Sequence, residues 1–505
     1  MAFLSISREP KIHLLRSSLF NSCAWVISVL INLVAIPIII HHLGVEGYGL
    51  FVLLTGLFGY FGLLDFGFSD GVIKYVAHYL ELGDYDSATR SINVALFVQM
   101  IAGSVGVLVL CVFNHHIIRL LHVSPELFNV VSNSLYATAV GFFAEMLVNT
   151  YNAALKGLQR FDVLAKTTTG FSLLTTVIVI SILFAGGNLL SVIIATALLT
   201  FANLGVVLVL VHRLVPGYRL SLILYREDFH ALFGFGAYVF ISRLASTLNS
   251  YFLQVVVAVI LGPAAVAYLA VPMRLTSALE AGFNSLVGVI FPRISALRAQ
   301  GNTRSLIDIY SKASKYTVAL SIPVFLFVIL FSKQILAVWL GAEFSGRAWP
   351  VLSVLSCASL LAVWTMVPAN TIYGTGDTKV AATFGAIVAG LNLLFSILLT
   401  LRYGTVGTGA AVLITALQCP IFIWYVTSRV LNISPAQYYE QVFARHIVPA
   451  IVFSVISLII LSMTNAETSG SSLLSLAFGA GLSIFYYSFL LKFRFVYLTD
   501  LRWSG

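Results

Sequence analysis

The sequence predicts an all-α integral membrane protein of about fourteen transmembrane helices. Their arrangement reads as two six-helix bundles related by an internal parallel repeat, followed by two C-terminal helices. Three observations carry that reading. Of 505 residues, 59% are hydrophobic and only 9% charged, whereas a soluble domain is roughly 25% charged and a water-exposed globule of this composition would aggregate. Apolar runs of bilayer length recur along the chain. Landmarks of the first half also return in the second at a nearly constant offset.

About 20 apolar residues cross the hydrocarbon core as a helix. By that criterion the spans are 17–40, 48–79, 88–113, 126–153, 163–184, 189–212, 229–260, 264–292, 313–331, 348–373, 379–401, 408–430, 446–463 and 473–491. The leader, residues 1–16, is basic, and the apolar run after it exceeds that of a cleavable signal and lacks a small-residue cleavage site. It reads as a cytoplasmic leader before a retained first helix. Only GGN at 186–188 separates the fifth and sixth spans.

Lysine and arginine collect in cytoplasmic loops. With the N-terminus inside, 22 of the 28 basic residues fall in inside segments and four, Arg119, Lys333, Arg347 and Arg402, fall outside. Both termini are therefore expected in the cytoplasm. The net charge of +9 expresses membrane topology and not nucleic-acid binding. Cys23, Cys111, Cys357 and Cys419 sit in apolar segments without metal spacing, as small buried hydrophobes do.

Gly44 of LGVEGYG precedes Gly83 by 39 residues, and Gly262 of LGPAAVAY precedes Gly301 by the same 39. Gly157 and Gly374 are 217 apart, and Thr196-Ala197-Leu198 recurs 219 later as Thr415-Ala416-Leu417. A repeat of six spans returns the chain to the same side, so both copies enter the membrane in the same direction. The predicted organisation is a leader at 1–16, one six-helix bundle at 17–213, another at 229–430, and two additional helices at 431–505. Because spans 13 and 14 lie outside the repeat, they are expected to be dispensable to the twelve-helix core.

Arg243, Thr247, Ser250 and Gln254 in span 7 fall on one helical face, and Asn21, Trp25, Ser28 and Asn32 form the same stripe in span 1. Serines on such a stripe can simply bond neighbouring helices. An ionisable residue in a span costs about 2.5–3.5 kcal/mol on insertion scales, and so faces a wet cavity or a partner. Five lie deep inside a span: Asp65, Glu145, Arg243, Arg274 and Glu280. Glu145, Asn149, Asn152 and Lys156 share one face of span 4, which either lines a vestibule or bonds a neighbouring helix. Asp65, in FGLLDFGFSD, is flanked by Gly56, Gly59, Gly62 and Gly67. It either bonds backbone freed by a loosened helix or holds a proton or sodium ion. Glu145 and Glu280 are read with it as coupling or hinge residues. No phosphate-loop lysine or HExxH occurs, and the His41-His42 and His115-His116 pairs lack further ligand spacing. No metal site, cofactor or catalytic residue is expected.

HHLGVEGYGLF, YFGLLDFGFS, the basic loop between spans 4 and 5, and ANTIYGTGDTK together resemble the bacterial polysaccharide (O-antigen-type) flippases. These belong to the multidrug/oligosaccharidyl-lipid/polysaccharide exporter superfamily. The resemblance covers nearly the whole chain. It implies two bundles in a V, alternating access, and carriage of a lipid-linked oligosaccharide to the outer leaflet of the bacterial cytoplasmic membrane. A polysaccharide polymerase and a chain-length regulator are the partners it suggests beside membrane lipids. For a diphosphate head, Arg243 and Arg274 are the expected contacts, because arginine grips phosphate bidentately without losing its proton. Asn32, Ser250 and Gln254 complete that set. An alternative for these arginines is a bridge holding helices together, Arg243 to Asp65 or Arg274 to Glu280. The competing functions are an ion-coupled multidrug exporter, a peptidoglycan-precursor flippase and a membrane-embedded enzyme acting on polyprenyl-linked sugar.

Overall fold

A computed structural model describes residues 10–288, 290–376, 378–463 and 469–492. Helices account for the regular structure, and no strand occurs among the described residues. The larger part of each predicted span lies on helix, with interruptions inside spans such as the second and twelfth. Among the described residues, ten helical stretches are long and apolar enough to cross a bilayer, and some contain a glycine break within them.

The chain divides into two compact units, Met1–Tyr251 with Leu261–Ala264, and Phe252–Ile260 with Ala265–Gly505. The first contains α1 (Pro10–Phe61), α2 (Phe68–Glu81), α3 (Tyr85–Val112), α4 (Asn114–Leu120), α5 (Phe128–Gly157), α6 (Phe161–Phe184), α7 (Leu189–Leu214) and most of α8 (Arg226–Leu261). α8 divides within itself because its first part packs on α2. Phe68 lies against Phe229 and Phe233, and a Cβ on Gly67 would come within 2.1 Å of the Gly236 carbonyl oxygen. A side chain at Gly67 would wedge these two helices apart.

The second unit contains α9 (Pro263–Val287), α10 (Ile290–Ala299), α11 (Thr303–Leu330), α12 (Ser332–Leu340), α13 (Ala342–Thr375), α14 (Thr378–Ala416), α15 (Cys419–Tyr425), α16 (Pro435–Tyr439), α17 (Arg445–Met463) and α18 (Ser469–Lys492). The first residues of α9, through Ala264, cluster with the first unit.

The sequence repeat has a backbone counterpart. Gly44, Gly83 and Gly186 have φ of 73°, 72° and 83°, and Gly262, Gly301 and Gly404, each 218 positions later, have 86°, 68° and 62°. Only glycine adopts this region without a Cβ penalty, so the same three corners are turned in both halves. The caps match too. Asp84 accepts from the Ser87 N–H at the start of α3, and Asn302 accepts from the Ser305 N–H at the start of α11. Hydrogen bonds from the Ser87 hydroxyl and N–H hold the Asp84 carboxyl below its ordinary range.

Span 2 is not one helix. It breaks between α1 and α2 through a 3-10 turn at Gly62–Asp65, then Phe66 with φ 47° and Gly67 with φ 80°.

The segment after Leu431 is not peripheral. Tyr438, Val442, Phe453, Tyr486 and Leu490 join one buried core with Tyr310, Ile322 and Val367. The Tyr438 ring stacks on Tyr310 at 5.4 Å, and the Tyr487 hydroxyl donates to the Leu320 carbonyl at 2.8 Å. This burial speaks against the expectation that residues after Leu431 are dispensable. Being outside a repeat says nothing about burial. Truncation after Leu431 should strip the apolar cover from α11 and yield a protease-sensitive second unit, read out by limited proteolysis in detergent against the full chain.

Candidate functional site

The first unit contains a half-open cavity of about 760 Å³. Its lining follows from local sequence. On α5, Glu145, Asn149, Asn152 and Lys156 recur at helical spacing and all face it. The broken span contributes Asp65 and Gly67, α2 adds Ser69 and Asp70, and α3 adds Gln99. Thr55 of α1, Thr168 of α6 and Phe240 of α8 complete its polar and aromatic wall.

Asp65 sits where the helix is interrupted, and its carboxylate accepts from the Ser69 N–H at 3.1 Å and the Ser69 hydroxyl at 2.9 Å. It thereby takes one of the backbone donors that every helix start leaves unsatisfied, with its negative charge at the positive end of α2. Gln99 also donates its Nε2 to Asp65. The Gln99 and Asn152 side-chain carbonyls, both buried, meet no donor among the described residues. With three carboxylates (Asp65, Asp70 and Glu145) and one amine (Lys156), the cavity is rich in acceptors. Such a lining suits hydroxyls, water or a cation.

The remaining candidates are dispersed. Asn32 is exposed on α1 before the Gly44 break, and Gln254 is half-buried on the second-unit portion of α8. Arg274 is exposed on α9, two residues after Pro272. Glu280, on the same helix, is half-buried. Among the described residues no ion pair joins Arg274 to Glu280. Arg243 and Ser250 lie on α8, but their side chains fall outside the described residues, as do those of Asn21, Trp25 and Ser28 on α1.

Gln99 escaped the sequence reading. Its signal was present as a single amide inside ALFVQMIAG, but an isolated amide in a span usually bonds a neighbouring helix. Phe240 carried no signal, since one aromatic in an apolar run is unremarkable in composition.

An all-helical, multi-pass bundle with a polar cavity inside it has the architecture of a membrane transporter. Its fold is that of two groups of solved transporters. Lipid II flippase MurJ in an inward closed conformation superposes with a TM-score of 0.75 at 15% identity, covering 94% of this chain and 99% of that one. An inward-facing multidrug transporter of the MATE family gives 0.67 at 18% identity, covering 80% and 95%. The chain belongs to the polysaccharide biosynthesis protein family, whose model matches residues 14–298. The model described as lipid II flippase MurJ also matches, over residues 221–479. A Shigella flexneri protein described as an O-antigen transporter is 22% identical over 423 residues, covering 83% of this chain and 99% of that protein. A Haloferax volcanii protein described as a low-salt glycan biosynthesis flippase is 23% identical over 425 residues, covering 83% and 84%. These relatives are described as transporters and flippases.

Proposed function

We propose that this protein flips a polyprenyl-diphosphate-linked oligosaccharide across the bacterial cytoplasmic membrane by alternating access, supplying surface polysaccharide synthesis. The observation that carries this reading is the acceptor-rich cavity inside an apolar bundle, in a chain of the polysaccharide biosynthesis family. Sugar hydroxyls are donors that carboxylates and amides can receive. The diphosphate is assigned to Arg243 and Arg274, with Asn32, Ser250 and Gln254 along its path. A diphosphate head has about two negative charges, whose unpaired desolvation would cost several kcal/mol each. Carrying two negative charges outward gains about 4.6 kcal/mol per 100 mV, inside negative. The potential can thus assist export. Membrane lipids surround the protein, and a polysaccharide polymerase and chain-length regulator are the proposed protein partners.

The test is transport in vesicles. A fluorescent polyprenyl-diphosphate oligosaccharide placed in one leaflet should become accessible to an impermeant quencher only with active protein present. A second reading, flipping of a peptidoglycan precursor, is favoured by the match to the MurJ family model. The same assay run with lipid II separates the two.

Orientation has its own prediction. In a cysteine-free background, cysteines placed at Asn188 and Glu467 should react with an impermeant thiol reagent in intact cells. Cysteines at Arg219 and Asn302 should react only after permeabilisation. The reverse pattern would overturn the cytoplasmic placement of both termini.

A further inference from the structure

The segment joining α7 to α8 has an unusual surface. Residues 218–225 form no regular secondary structure, yet Leu220, Leu222, Ile223, Leu224 and Tyr225 are all exposed, Leu220 at 59% and Ile223 at 56%. Its start is held firmly. Tyr218 is buried, its hydroxyl 3.3 Å from those of both Tyr151 and the Asn93 side-chain oxygen it donates to. Asn93 in turn donates its Nδ2 to the Arg219 carbonyl at 2.8 Å. At the far end, the Arg90 guanidinium lies 3.4 Å from the Asp228 carboxylate and 5.6 Å from the Tyr225 ring centre.

Two physical constraints place the stretch between these anchors. Among the described residues, the N–H groups of Leu220 through Leu224 have no protein acceptor, and such backbone cannot enter the hydrocarbon core. Four exposed apolar side chains within five positions, Leu220, Leu222, Ile223 and Leu224, are equally ill suited to open water. The headgroup layer satisfies both demands, with backbone hydrated and side chains dipping to the acyl boundary. The charge there is one-sided. Arg213 ends α7, Arg219 and Arg226 bracket the apolar run, and all three are exposed. No ion pair occupies them among the described residues. Glu227 is the exposed acid next to them in sequence, Asp228 is buried against Arg90, and the exposed Asp84 lies within electrostatic range of Asp228.

We propose that residues 219–226 form an interfacial docking strip for anionic phospholipid, with Leu220, Leu222, Ile223 and Leu224 at the acyl boundary and Arg213, Arg219 and Arg226 on the lipid phosphates. Basic residues beside an anionic leaflet each favour binding about fivefold, an attraction that salt screens. The strip is independent of which glycan lipid the protein transports.

The test uses the full chain in lipid nanodiscs. An environment-sensitive fluorophore goes on I223C in a background lacking the native cysteines. Quenching by nitroxide-labelled phosphatidylglycerol should exceed quenching by equally labelled phosphatidylcholine severalfold, and the excess should fall at high salt. Replacing Arg213, Arg219 and Arg226 together by glutamine should equalise the two lipids while keeping the phosphatidylcholine signal, which shows that the fold survives. Equal quenching in the parent protein would overturn the anionic preference. No quenching by either lipid would overturn the interfacial placement and point to a protein covering the strip. Should the cysteine-free chain not fold, spin-labelled lipid selectivity is measured on the otherwise unaltered protein and its triple glutamine variant. Identical selectivity in the two would reject the proposal.

Discussion

Alanine at both Arg243 and Arg274 is expected to abolish surface glycan export while protein abundance stays near wild type. Each arginine would give a charge-assisted contact worth about 1.5–3 kcal/mol. Losing both should weaken binding of the diphosphate lipid by more than roughly a hundredfold. Lysine at either site keeps the charge and loses the planar fork, so a partial defect is expected. The exposure of Arg274 on α9 is compatible with a ligand-facing role, and its lack of an ion pair with Glu280 removes one of the two bridges the sequence allowed. Immunoblotting and surface polysaccharide staining of a complemented deletion strain check this. Normal polysaccharide in the double alanine strain would end the phosphate-binding role. Degradation of R243A rescued by D65A would instead favour a structural bridge between those two.

Asp65 separates the two roles the sequence left open, because its substitutions diverge. Asp65→Ala removes the acceptor for Ser69 and Gln99 together. A lost helix cap costs about 1 kcal/mol, and an orphaned buried donor about 1–3 kcal/mol more. The alanine variant should therefore lose abundance and melt earlier in a detergent thermal shift. Asp65→Asn keeps an acceptor for the Ser69 N–H and removes the charge. If Asp65 serves to hold the break between α1 and α2, the asparagine variant should keep most of its transport. If it binds a proton or sodium ion, transport should vanish with abundance intact. Glu145→Gln, in the lining of the same cavity, provides the matching comparison. Loss of transport in both amides without loss of protein would assign coupling to the cavity.

Much of the fold was readable from periodicity and composition, since both are local. The fourteen apolar runs lie on helices because bilayer length and helix rise leave few other options. Gly44 and Gly83, paired with Gly262 and Gly301, were legible as landmarks of the repeat, and the backbone turns at all four with positive φ. The stripe of Glu145, Asn149, Asn152 and Lys156 was likewise visible, since one helix determines it. What that stripe faced was not visible.

The sequence alone determined the class of the molecule and the positions of its apolar runs, and its charge asymmetry predicted an orientation. The tertiary structure decided which polar residues meet. Asp65 and Gln99 are 34 positions apart, and Asn93 and Arg219 are 126 apart, so no helical period relates them. Their meeting depends on which faces of α2, α3, α5 and the segment before α8 pack together. The same holds for Tyr438, Phe453 and Tyr486. Sequence order put them outside the repeat, while burial against α11 made them core. Apolar residues in a span are legible as apolar, but lipid and protein are equally good neighbours for them, and only packing distinguishes the two.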